Sequence, residues 1–292
     1  MILLQVLIAL AAIIALAQVL GKLFGYLGQP PVIGEVVAGI LLGPSLIGAE
    51  LSGLILPPAV GPYLGIIAQL GVILYMFMVG LELNPGLLAG RARATVLTSL
   101  AGIVVPFALG VLLARSLHPR LSGGDAAFGP FALFMGVAMS ITAFPVLARI
   151  LTDLGAARTE LGVMALSCAA IDDVAAWCLL AFIVGVARAQ VGEGIAVGVT
   201  PVAYIALMFV IVRPLVGRMV RRPAIALVFL ALLLSALATE AIGIHAIFGA
   251  FLLGAIIPHD SAVARMVPRQ LEGVVTLLLL PAFFAFTGMR TR

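Results

Sequence analysis

Apolar residues run along this chain in long blocks, broken at intervals by short clusters of Gly, Pro and charged residues. A helix of about 20 apolar residues, rising 1.5 Å per residue, crosses a hydrocarbon core about 30 Å thick. The pattern predicts ten spans, near 2–24, 31–47, 62–83, 93–116, 129–152, 159–187, 195–217, 223–241, 243–258 and 270–289. The first block, MILLQVLIALAAIIALAQVLGKLFGYL, has almost no charged leader and no small-residue cleavage site. It is also too long for a signal-peptide core and reads as a first spanning helix.

Composition agrees. Of 292 residues, 64% are hydrophobic and 10% charged, and the mean hydropathy is +1.30. Soluble domains carry about 25% charged residues, so the expected class is an all-α, polytopic membrane protein. The net charge of +4 carries no basic patch for nucleic acid, and the expected partner is membrane lipid. The basic residues matter through the loops they occupy. Numbering loops from the first, odd loops hold eleven of them, from Lys22 and Arg91 to Arg269, and even loops only Arg115, Arg120 and Arg188. That bias puts the odd loops in the cytoplasm and the N-terminus outside, in a multi-pass cell (inner) membrane protein. Cys168 and Cys178 are ten residues apart in one predicted helix, about 15 Å along its axis and beyond disulfide reach.

Span two contains VIGEVVAGILLG and span nine IFGAFLLGAIIP, so that an offset of 215 superposes Gly34 on Gly249 and Gly39 on Gly254. Spans three and ten share a weaker pattern, MFMVGLEL and FAFTGMRTR. The paired spans run in opposite directions, as in the inverted repeats of many secondary transporters. The expected division is 1–187 as a first repeat, 188–222 as a linker span and 223–292 as part of a second repeat. Counterparts of spans four to six are then missing, and a complete protein continues for roughly another 95 residues under this symmetry.

Span five reads FALFMGVAMSITAFPVLARILTDLG. Pro145 lacks an amide hydrogen and its ring clashes with the Ile141 carbonyl, so the helix breaks just before it. Ser140 and Thr142 sit at that opened turn, where hydroxyls and freed carbonyls suit a hard cation. Irregular backbone at membrane depth is tolerated only where it lines a protein cavity. Span six places Asp172 and Asp173 thirteen and fourteen residues after Thr159, about 20 Å into the helix. Adjacent positions point about 100° apart, so one carboxylate can face a cavity while the other finds a separate partner. A buried carboxylate that holds either a proton or a cation is the minimal machine for exchange. Glu35 and Glu82 read as helix-end residues, His245 as the start of span nine, and Trp177 as packing or lipid-facing.

These residues resemble the monovalent cation:proton antiporters, the branch of the sodium/hydrogen exchanger superfamily that includes Kef-type proteins and bacterial sodium/proton antiporters. QPPVIGEVVAGILLGP, LYMFMVGLEL, ITAFPVLARIL and above all AAIDDVAAW carry the resemblance. It implies that Asp173 is the cation- and proton-binding carboxylate, Asp172 its auxiliary neighbour, and Thr142 a residue of the broken helix facing them. Ser140, Ile141 and Pro145 would support that monovalent cation site. It also implies about thirteen spans when complete, homodimers, no cofactor and no enzymatic activity. The function implied is secondary active exchange of sodium or potassium for protons, with a Kef-like potassium efflux channel or transporter as the alternative. An intramembrane aspartyl protease is excluded, because it needs its two aspartates on separate helices.

Overall fold

The computed structural model describes residues 2–84, 92–122, 127–187, 200, 203–219, 225–243 and 245–289. Among these every regular element is helical. The start of predicted span seven, Arg91, Arg188 and the side chains of Trp177 and Cys178 lie outside the described residues. The helices are α1 (Ile2–Tyr26), α2 (Pro31–Leu42), α3 (Pro44–Ile55), α4 (Gly61–Glu82), α5 (Ala92–Leu121), α6 (Phe128–Ser140), α7 (Phe144–Asp153) and α8 (Glu160–Ala187). After them come α9 (Arg213–Met219), α10 (Ile225–Ile242), α11 (Ala246–Ile256), α12 (Ala262–Val274) and α13 (Leu280–Met289). A π-helical turn, Val275–Leu279, joins α12 to α13, and another, Met208–Val212, leads into α9. Among the described residues six stretches are long and apolar enough to cross a membrane, including Ile2–Tyr26, Phe128–Asp153 and Ala262–Met289. The protein is therefore a multi-pass membrane protein. α2 and α11 are shorter than the predicted spans two and nine, and the tenth span starts earlier than its apolar block. The Ser261 hydroxyl, accepting from the Ala264 amide at 3.2 Å, caps an amphipathic entry to it.

The helix ends follow from local chemistry. α1 stops at Gly28, whose φ of +73° costs glycine nothing. The Gln29 amide then reaches back to the Phe24 carbonyl at 2.9 Å and that of Gly28 to Gly25 at 3.0 Å, closing the chain before Pro31 starts α2. α7 ends the same way at Gly155, with the Ala156 amide on the Leu151 carbonyl at 2.8 Å. α1 buries a stripe of Val6, Ala9, Ile13, Ala17 and Gly21, at helical spacing, and leaves Leu3, Leu7 and Leu23 outward. In lipid those outward leucines cost nothing.

Small residues set the helix crossings, as expected where lipid tails leave only close packing to hold helices together. A Cβ at Gly39 of α2 would fall on the Ala285 backbone of α13, and one at Gly288 of α13 on the Val36 carbonyl of α2. A Cβ at Gly80 of α4 would meet the Phe251 carbonyl of α11, and one at Gly254 of α11 the Phe77 carbonyl of α4. Gly34 abuts Leu20 and Gly21 of α1, and Gly249 abuts Ser235 and Thr239 of α10. Gly34 and Gly249, and likewise Gly39 and Gly254, the pairs superposed by the 215-residue offset, thus each abut the backbone of a neighbouring helix.

Candidate functional site

α8 starts behind Thr159, whose hydroxyl accepts from the Gly162 amide at 3.1 Å, an N-cap contact. Asp172 and Asp173 then fall near the middle of this 28-residue helix. Their environments differ. Asp172 is 7% exposed and accepts a hydrogen bond from the hydroxyl of Ser99, a buried residue of α5. One turn earlier the Cys168 thiol donates to the Thr95 carbonyl of the same helix at 3.4 Å. Asp173, about 100° further round, is half-buried and has no hydrogen-bond partner among the described residues. The helix geometry separates the pair as the sequence requires, and α5 supplies the separate partner.

Span five is broken where Pro145 demands it. α6 ends at Ser140, Ile141 and Ala143 are non-helical (ψ 122° and 88°), and α7 begins at Phe144 with Pro145 in its first turn. Ile141, Thr142 and Ala143 are exposed. The Ser140 side chain is buried and its hydroxyl donates to the Val137 carbonyl at 3.0 Å, within its own helix. α8 packs on both halves of the broken helix, although no hydrogen bond among the described residues joins Thr142 to either aspartate.

Sequence reasoning missed a second polar cluster. Arg149, one of the eleven basic residues assigned to odd loops, instead lies inside α7 and is 8% exposed, and Glu35 of α2 is 4% exposed. Arg149 Nη2 is 3.5 Å from Glu35 Oε1, and its Nε is 3.2 Å from Asp153 Oδ1. Beside them the Tyr75 hydroxyl of α4 lies 3.1 Å from that of Thr152. The i, i+4 spacing of Arg149 and Asp153 inside an apolar span was the available signal; a charge amid lipid needs such a partner. Glu82, at the end of α4, accepts from Arg158 Nη2 at 2.8 Å. His245 caps α11, its Nδ1 accepting from the Ile247 amide at 3.4 Å, and its Nε2 lies 3.3 Å from Gln69 Nε2.

Apolar helices thus hold adjacent carboxylates beside an interrupted helix. The family described as "Sodium/hydrogen exchanger, transmembrane" matches residues 7–292, and the chain belongs to it. That is a family of transporters, not enzymes, and it uses no cofactor. The chain is 41% identical over 305 residues to the "Na(+)/H(+) antiporter NhaS4" of Synechocystis sp., a match covering 99% of this chain and 74% of that protein. It is 37% identical to "Cation/H(+) antiporter 17" of Arabidopsis thaliana, covering 96% of this chain and 36% of that protein. It is 30% identical to "K(+)/H(+) antiporter 1" of Saccharomyces cerevisiae, covering 91% and 33%. The chain thus spans about a third of the length of the plant and yeast relatives.

Proposed function

We propose that the chain exchanges a monovalent cation for protons by secondary active antiport, with Asp173 as the group that binds either ion. The single observation that carries this reading is the pair of adjacent carboxylates in α8, one hydrogen-bonded and the other without a hydrogen bond among the described residues, on a helix packed against both halves of a broken helix. Asp173 is the carboxylate left for transported ions, Thr142 offers its hydroxyl from the opened turn, and Asp172 is the auxiliary charge held by Ser99. Oxygen ligands of this kind serve sodium and potassium alike. Because the relatives are named as antiporters, antiport is favoured over Kef-like efflux. The matched glycine contacts support an inverted repeat in which α1, α2 and α4 correspond to α10, α11 and α13, and the loop charges support an external N-terminus. The test is flux in proteoliposomes: cation uptake should follow an imposed proton gradient and vanish without one, whereas channel-like flux would ignore it.

The auxiliary role of Asp172 has its own test. Asp172→Asn and Ser99→Ala each change the neighbour that Asp173 feels without removing Asp173. A hydrogen bond to a charged group contributes about 1.5–3 kcal/mol, so both variants should keep exchange but shift its pH profile. An unaltered profile in both would make Asp172 a packing residue.

A further inference from the structure

α5, α6 and α8 pack on one another, while α7 packs on α8 and also on α2 and α4. The short α7 therefore links the aspartate-bearing helices to the rest of the bundle. It is held at three places along its ten residues. Phe144 sits edge-on to Phe251 of α11, with ring centroids 4.8 Å apart. Arg149 meets Glu35 of α2, and Thr152 meets Tyr75 of α4. The ionic contact is costly: two carboxylates and one guanidinium are withdrawn from water, where apolar residues of the same volume would pack as well or better. It is also incompletely satisfied. Arg149 Nε keeps its ion pair with Asp153 at 3.2 Å, but Glu35 Oε2 is buried without a hydrogen-bond partner among the described residues, a cost that calls for an explanation.

We propose that Arg149 is a positioning residue: held in place by Asp153 on its own helix, it fixes α7 through Glu35, and with it the exposed turn carrying Thr142, against α2. Seven residues separate Thr142 from Arg149, about 10 Å along a helix, and α7 starts where the opened turn ends. A shift of α7 toward α6 would close the turn, but it would also draw the buried guanidinium away from Glu35 of α2. The charge thus holds the turn open in a way that a hydrophobic contact, able to slide, does not. The functional consequence rests on the antiport reading; the placement of the turn does not.

The test uses the full chain with Cys168→Ala, Cys178→Ala and Thr142→Cys, and follows labelling by a membrane-impermeant maleimide. Arg149→Met should slow labelling roughly tenfold, since a stranded buried partner drives rearrangement, and Arg149→Lys, which keeps the charge, should restore most of the rate. If Arg149→Met does not fold, as judged by thermal unfolding, Glu35→Gln is read in its place. Unchanged or faster labelling in a folded variant, or no rescue by lysine, would overturn the proposal. With slowed labelling, a raised cation KM at nearly constant maximal rate would tie the turn to ion binding. Slowed labelling with an unchanged KM would leave the positioning role standing and count against Thr142 as an ion ligand.

Discussion

Asp173→Asn is expected to reduce cation/proton exchange to the level of protein-free vesicles, read as acridine-orange dequenching on cation addition to everted vesicles. The amide keeps the shape of the side chain and its oxygen, so packing of α8 should survive. It removes the ability to ionise, and with it the alternation between a bound proton and a bound cation. Asp172 cannot take over, because its carboxylate faces α5 and accepts from Ser99, about 100° away around the helix. Wild-type dequenching in Asp173→Asn vesicles would sink the assignment of the ion-binding carboxylate. Loss of protein from the membrane would instead point to a structural role, so expression and thermal unfolding are measured alongside.

The second large effect concerns the helix crossings. Gly39→Leu and Gly254→Leu should each cost at least about 3 kcal/mol, the upper end of the usual range for overpacking. At both positions the obstacle is backbone, the Ala285 unit for one and the Phe77 carbonyl for the other, and no rotamer change can clear it. The expected result is a sharp fall in thermal unfolding temperature, or failure to accumulate in the membrane. Gly102→Ala and Gly273→Ala are the controls. A Cβ there meets nothing within 4 Å, and alanine favours a helix over glycine by about 1 kcal/mol, so neither should destabilise. Equal stability across all four variants would contradict the crossings described here.

Much of the architecture was legible because it rests on local rules. Pro145 breaks span five through its missing amide and its ring, and no tertiary contact is needed to predict this. Gly28 and Gly155 end helices through a backbone conformation that glycine adopts freely. Asp172 and Asp173 were conspicuous because charge is rare in an apolar block. The recurrence of the glycines was visible as spacing and suggested an inverted repeat, but the helices these glycines touch were not visible. Only the packed structure shows Gly39 against α13 and Gly254 against α4.

Arg149 marks the limit most clearly. Read along the chain, it was one more basic residue near a span end, and Glu35 one more acidic residue near a turn. They are 114 positions apart, and no periodicity joins residues so distant. Likewise nothing local pairs Ser99 with Asp172, 73 positions on. The sequence by itself determined the membrane class, the broken helix and the two carboxylates, because hydropathy, proline geometry and the cost of charge in lipid act within one helix. Which carboxylate is held by α5, and which helix anchors α7, was decided only in the tertiary structure, because a polar partner for a buried charge is supplied by whichever helix the fold brings beside it.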